Sequence, residues 1–164
     1  MKRPTPDFAE LLRVLAEHRV EFIIVGGVAA VLQGAPISTF DLDVVHSRAP
    51  DNVVRALTAL ESLDALYRDP AGRRIAPNGS LLASTGHHLL MTRDGPLDLL
   101  GTIGTGMGYE ELLGHTVELD LGSGFNVKVL DLPTLIRTKE VADREKDRAV
   151  LAILRRTLEQ RSGR

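Results

Sequence analysis

The sequence predicts an α+β protein in which helices flank a small mixed β-sheet and a helical tail follows the sheet. Three observations support this fold class: short apolar runs of strand length, apolar residues at helical spacing between them, and a helical pattern from Pro133 to about Gln160. The length of 164 residues suits one domain, since domains usually contain about 100–200 residues. We therefore expect one domain over residues 1–164, with a core at about 20–130 and C-terminal helices at about 133–160.

The composition excludes several classes of site. The chain contains no Cys, which rules out disulfides, thiolate zinc sites and cysteine nucleophiles. Aromatic residues make up only 4% and Trp is missing, so an aromatic platform for single-stranded nucleic acid is not expected. No apolar run approaches the ~20 residues that cross a bilayer. We therefore expect a cytoplasmic protein with no membrane partner.

The first elements follow from a capping residue and a short apolar run. Asp7, with an acid three residues after it, predicts the start of a helix that ends near His18. Residues 21–25 have the composition of a short buried strand, which Gly26-Gly27 end. Residues 28–33 then predict a short helix.

The next segment combines one strand, one helix and a long loop. Residues 41–45 predict a second strand. Asp51 is predicted to cap a helix that runs to about Leu63. Residues 67–80 are rich in Gly, Pro, Arg and Asn, which is typical of a loop.

Two hairpins are predicted in the second half of the chain. Asp94-Gly95 is a strong turn signal between residues 87–92 and 97–103. Gly122-Ser123-Gly124 separate two further strands at 116–121 and 125–130.

The tail is helical and basic. Its helical pattern from Pro133 has a predicted break near Asp143. Residues 137–164 contain nine Lys or Arg and five acidic residues, although the whole chain has a net charge of −2. This asymmetry permits an anionic partner near the C-terminus, although the charge alone favours a solvated basic helix.

The segment with the clearest chemical content joins a glycine pair to two aspartates. Residues i and i+2 of a strand face the same side, so Asp41 and Asp43 project together. Two like charges at this spacing need a cation or a proton between them, and Mg²⁺ binds such carboxylates together with substrate phosphates. Gly26-Gly27 allow backbone N–H groups to approach phosphate oxygens. An isolated Asp-x-Asp is also typical of a cap, a turn or an exposed face.

A third carboxylate is available at Asp98, in an otherwise apolar strand. A buried acid requires a partner, because its unpaired burial is costly. If this strand lies beside residues 41–45, Asp98 completes a three-carboxylate cluster that can hold two metal ions and activate a hydroxyl. The alternative is that Asp98 only ends the turn at 94–96.

These residues resemble the signature of a known superfamily. A glycine pair, a short helix and then Ser38-Thr39-x-Asp41-x-Asp43 on a strand resemble the nucleotidyltransferases with the DNA polymerase β-like fold. The tail resembles the C-terminal motif of the small abortive-infection toxin (AbiEii-like) branch, on residues 132–136, Lys139 and Arg144-x-Lys146-Asp147. The likeness covers roughly residues 21–46, 97–99 and 128–154.

The resemblance implies a role for each matching residue. Asp41, Asp43 and Asp98 would be the catalytic, metal-binding carboxylates for Mg²⁺ or Mn²⁺, and Asp98 would help to deprotonate the acceptor. The implied nucleotide-binding residues are Gly26, Gly27, Ser38, Thr39 and Lys139, with Arg144 and Lys146 as weaker candidates. The three cations also have a simpler interpretation, which is ion pairing with Glu140, Asp143 and Asp147 at three- and four-residue spacing.

The implied reaction transfers a nucleoside monophosphate from an NTP to a macromolecular acceptor, a tRNA or a protein, with an antitoxin as the partner of a toxin. Two alternatives remain. The branch usually carries Arg where this chain has Ile37, which favours a degenerate nucleotide-binding module. The other alternative is a small-molecule transferase of the aminoglycoside-modifying type.

Overall fold

Seven strands form one mixed sheet in the computed structural model, which describes residues 5–122 and 124–163. The strand order is β3-β4-β5-β2-β1-β7-β6. The strands are β1 (Phe22–Val25), β2 (Leu42–His46), β3 (Leu66–Tyr67), β4 (His87–Thr92), β5 (Gly95–Leu100), β6 (Thr116–Asp120) and β7 (Asn126–Leu130).

Helices flank this sheet, and the last two helices follow its final strand in the chain, as the predicted α+β fold class requires. They are α1 (Phe8–Glu17), α2 (Gly26–Leu32), α3 (Pro50–Ser62), α4 (Gly79–Leu82), α5 (Tyr109–Leu112), α6 (Leu132–Ala142) and α7 (Glu145–Ser162). Within the described residues, every helix is too short or too polar to cross a membrane.

The centre of the sheet fixes the positions of the predicted carboxylates. Strand β2 is antiparallel to β1 and parallel to β5, so residues far apart in sequence become neighbours. Asp43 lies opposite Val25 on one side and Asp98 on the other. Fully buried residues such as Ile24, Leu42 and Leu99 surround them and hold the strands in register.

Several local predictions are confirmed. The Asp7 side chain accepts a hydrogen bond from the Glu10 amide at 3.0 Å and caps α1. Strands β4 and β5 form the predicted hairpin, although β5 spans Gly95–Leu100 instead of 97–103, and β6 pairs with β7. Ser123, in the second predicted turn, lies outside the described residues.

Other predictions need correction. The N-cap of α3 is Ala49 rather than Asp51, because Pro50, with its fixed φ, takes the first helical position. Helix α2 begins at Gly26, two residues earlier than predicted, and β2 begins at Leu42. Residues 67–80 are not entirely a loop, since they include the end of β3 and the start of α4.

The tail breaks where the sequence indicated. Asp143 adopts the left-handed conformation with φ of 46° and separates α6 from α7. Asp131 caps α6 by accepting a hydrogen bond from the Thr134 amide at 2.9 Å, with Pro133 in the first turn. The two helices therefore fold against each other instead of forming one long helix.

Candidate active site

Three carboxylates meet at one end of the central strands. Asp41, Asp43 and Asp98 each offer an oxygen atom, and these atoms all lie within 4.8 Å of one another. Asp41 lies directly before β2, and the parallel pairing of β2 with β5 aligns Asp43 with Asp98. The expected convergence of the two chain segments is therefore present in the fold.

The glycine pair makes room for this cluster. Gly26 has φ of +66°, and a Cβ atom there would lie 2.5 Å from Oδ2 of Asp43. A Cβ atom on Gly27 would lie 2.6 Å from Oγ1 of Thr39. Both distances are shorter than a side chain tolerates, so these glycines allow Asp43 and Thr39 to pack against the start of α2.

Burial and like charge raise the proton affinity of the cluster. Desolvation, followed by the charges of Asp41 and Asp98, raises the pKa of Asp43 to about 8. The Oδ1 atom of Asp43 is buried without a hydrogen-bond partner. Lys139 opposes the shift by favouring the ionised carboxylate. The three carboxylates therefore need a cation or a proton to be stable together.

Asp98 has a protein partner that the sequence did not indicate. Nη2 of Arg68 lies 2.9 Å from Oδ1 of Asp98, which is 5% exposed. Burial raises the pKa of Asp98, while Asp43 and Arg68 act in the opposite direction. The need for a partner was predictable from a carboxylate in an apolar strand. No residue pattern around position 68, however, identifies Arg68 as that partner.

A cleft of about 460 Å³ opens beside the cluster. Gly26 and Asp43 line one wall, and His87 and the 102–104 segment contribute another. Helix α6 supplies further lining residues, which include Thr138 and Lys139, and Arg144 lines the cleft just beyond α6. The volume lies within the usual range of small-ligand sites, roughly 300–1,000 Å³.

Lys139 is held at this cleft by a buried acid of the next helix. Its Nζ atom lies 3.3 Å from Oδ1 of Asp147, whose side chain is 1% exposed. Nε of Arg144 lies 2.6 Å from Oδ2 of the same carboxylate. The hydrogen bond from Arg144 is the largest cause that lowers the pKa of Asp147, to about 2, and Lys139 adds to it. The expected ion pairing at three-residue spacing is thus present for Arg144, whereas Lys139 pairs with an acid eight residues away.

The remaining predicted residues lie at different distances from the cluster. Thr39 is half-buried and its hydroxyl donates to the Asp41 carbonyl at 3.2 Å. Ser38 is exposed on the loop before β2 and does not line the cleft. Lys146 is also exposed and away from the cleft lining. Ile37, at the position of the expected Arg, packs against the hydrophobic core.

The donor set fits Mg²⁺ or Mn²⁺. Each aspartate supplies a hard carboxylate oxygen, and such ions bind oxygen ligands in preference to nitrogen or sulfur. The unpartnered Oδ1 of Asp43 and the raised pKa of that carboxyl are typical of a carboxylate that can bind a cation.

Comparisons with known proteins by sequence give no match, either to a protein-family model or to a curated protein. Solved structures do match. The lincosamide antibiotic adenylyltransferase LnuA, in its lincomycin-bound crystal structure, aligns with a TM-score of 0.60 at 11% identity, over 90% of this chain and 94% of that one.

Two further structures agree with this result. TM1012 from Thermotoga maritima, provisionally assigned as a nucleotidyltransferase, aligns with a TM-score of 0.54 at 13% identity, over 93% of this chain and 91% of that one. The antibiotic-resistance factor ANT(2'')-Ia aligns with a TM-score of 0.55 at 16% identity, over 93% and 81% respectively. The chain therefore has the fold that these nucleotidyltransferases share.

Proposed function

We propose that this chain is a metal-dependent nucleotidyltransferase, which transfers a nucleoside monophosphate from an NTP to an acceptor hydroxyl. The observation that carries the proposal is the convergence of Asp41, Asp43 and Asp98 within 4.8 Å. The shared fold supports the same class of reaction. Structural stability alone does not account for three clustered acids, because the arrangement raises the pKa of Asp43 to about 8.

Each residue has a defined task in this reaction. Asp41, Asp43 and Asp98 would hold the divalent ions, which neutralise phosphate charge when bound. Gly26 and Gly27 would bring the backbone close to the triphosphate, with Ser38 and Thr39 as further contacts. Lys139 would contribute a positive charge from the cleft wall. Asp98 would help to deprotonate the attacking hydroxyl, as the resemblance to the superfamily implies.

A degenerate nucleotide-binding module is the first alternative. Ile37 cannot supply the phosphate contact of the missing Arg, but Lys139 and Arg144 line the cleft and offer positive charge there. The presence of all three carboxylates supports catalysis. The test incubates the protein with each Mg-NTP and a total cell lysate and measures pyrophosphate release. Release that is lost in Asp43→Asn supports the enzyme; nucleotide binding without release supports the module.

The resemblance of the tail to the abortive-infection toxins supports a macromolecular acceptor, a tRNA or a protein. It also supports a toxin that a cognate antitoxin neutralises in the cytoplasm. The test is induced expression of the wild-type chain and of Asp43→Asn in the same host. Growth arrest by the wild type alone is expected; equal growth of both strains contradicts the toxin role. Purified lincomycin and an aminoglycoside serve as acceptors for the small-molecule alternative.

A further inference from the structure

An open apolar surface adjoins the carboxylate cluster. Strand β4 alternates between buried and exposed residues, so the described part of the chain covers one of its faces and leaves the other open. On the uncovered face, Leu89 is 43% exposed and Met91 is 41% exposed. Leu66 of β3 lies opposite Met91 and extends the same surface. We call Leu66, Leu89 and Met91 the apolar floor.

The apolar floor is continuous with the proposed active site. Leu89 lies directly opposite Asp98 in the β4–β5 pairing, so their side chains project from the same face of the sheet. His87, two residues before Leu89, faces the same side and lines the cleft. A molecule on the floor would therefore lie next to Asp98, whose neighbour on the other side is Asp43 of the cleft wall.

The charge of the floor disfavours a polyanionic acceptor. Arg68 contacts this face, but its guanidinium is already paired with Asp98 at 2.9 Å and donates to the Leu90 carbonyl at 3.0 Å. An RNA end brings phosphates, which require unpaired Lys or Arg side chains. The exposed Leu89 and Met91 and the half-buried Leu66 offer none of these interactions.

The shape of the floor disfavours a small molecule. Small-ligand sites are concave and bury about 70–90% of the ligand surface. The floor is one face of a sheet whose side chains remain more than two-fifths exposed at Leu89 and Met91. Such a surface suits one stretch of a larger partner.

We propose that the apolar floor binds an uncharged segment of an acceptor protein and presents one side-chain hydroxyl to Asp98. This proposal rests on the proposed nucleotidyl transfer. The hydroxyl oxygen forms a bond to the α-phosphorus of the NTP while the bond from that phosphorus to the bridging oxygen breaks. Pyrophosphate leaves with the electron pair, and the hydroxyl proton passes to the Asp98 carboxylate.

The absence of Cys from the sequence permits a direct test. Met91→Cys introduces a single thiol, which is modified with either a methylthio or a sulfonatoethylthio group. The first restores a side chain close in size and polarity to Met, and the second places a charge on the floor. Val54→Cys, at an exposed apolar residue of α3, receives the same two modifications as the matched control.

The assay uses NTPs labelled at the α-phosphate and measures the radiolabel transferred into the protein fraction of a cell lysate. Only label that remains after ribonuclease treatment is counted. The sulfonate on Met91→Cys is expected to reduce this transfer by about tenfold or more, because an unpaired charge is costly at an apolar contact. The methylthio form should retain transfer, as should both control proteins. All forms should keep the thermal stabilisation by Mg-NTP.

Three results would overturn the inference: unchanged transfer by the sulfonate form, loss of its nucleotide-dependent stabilisation, or label that ribonuclease removes. Failure of the proposed function is a separate result. In that case the unmodified wild-type chain transfers no label, or Asp43→Asn transfers as much as the wild type.

Discussion

Asp43 is the residue at which folding and the proposed chemistry conflict most. Its carboxylate is largely desolvated and faces the carboxylates of Asp41 and Asp98. A folded protein tolerates this arrangement when the acid keeps its proton or when a cation replaces it. Stability of the metal-free protein is therefore expected to depend on this single side chain.

The folded state raises the pKa of Asp43 to about 8 from an ordinary value of 3.8. The unfolded chain releases this proton earlier, so Asp43 reduces stability progressively as pH rises from about 4 to 8. Asn cannot ionise, and Asp43→Asn should therefore raise Tm by several degrees at pH 8 in EDTA, at about 2–4 °C per kcal/mol. The difference should vanish near pH 4. Glu61→Gln, at an exposed charge of α3, is the control in thermal denaturation and should show no such pH-dependent gain.

The carboxylate cluster requires a residue without a side chain at position 26, because a Cβ atom there would collide with Asp43. Gly26→Ala should cost about 1–2 kcal/mol from its positive φ alone and more from the contact with Asp43, 2.5 Å from the added Cβ. Gly72→Ala has a comparable φ of +73° with no heavy atom within 4 Å, so it isolates the backbone cost. Only Gly26→Ala should also lose the stabilisation by Mg²⁺ in a thermal shift assay. Equal Mg²⁺ responses in the two variants would contradict this account of the glycine.

At the scale of elements, the break between α6 and α7 brings the positive charge of the tail to the cleft. Asp143 ends α6 in the left-handed conformation, and α7 then folds back so that Asp147 meets Lys139 and Arg144. One buried carboxylate thus fixes two cations from two sides of the turn. A continuous helix would place Asp147 two turns away from Lys139.

Asp147→Asn should lower the free energy of unfolding by about 1–3 kcal/mol, because two cations lose their charged partner. In the wild type the pKa of Asp147 is lowered to about 2, so its contribution to the free energy of unfolding is present above pH 4 and disappears as pH falls towards 2. The variant should also raise KM for the NTP more than it lowers kcat, since Lys139 loses its fixed position. Asp143→Asn is the matched control, because its ion pair with Arg148 is exposed and Asn also tolerates a left-handed φ. Equal losses of stability in the two variants would show that burial of Asp147 has no special effect.

At the scale of the whole molecule, the sequence patterns were sufficient to predict the carboxylates that the central strands carry. The alternation of Asp41 and Asp43 and the apolar context of Asp98 sufficed to expect a cluster, because buried strands of this composition pair in the sheet centre. Arg68 was not predictable in the same way. Its contact with Asp98 depends on where β3 and its following loop attach to the sheet edge, which no local pattern encodes.

The limits of local patterns also appear at helix ends. Asp51 has the residue type of an N-cap, but Pro50 beside it prefers the first helical position, and the cap moves to Ala49. The pairing of Lys139 with Asp147 spans eight residues and needs the backbone reversal at Asp143. Both outcomes depend on competition between neighbours or on tertiary folding, which single-residue preferences do not include.

Metal binding and protonation are linked across the whole site. A cation that binds Asp43 must displace the proton held with a pKa of about 8, so binding releases protons at neutral pH. The apparent affinity for Mg²⁺ should rise by about tenfold per pH unit from pH 6 to pH 8 and then become constant. Titration calorimetry in two buffers of different ionisation enthalpy measures both the affinity and the number of protons released. Asp94→Asn, remote from the cluster, should reproduce this dependence, whereas an affinity that is independent of pH in the wild type would show that Asp43 is already ionised and that burial does not control the site.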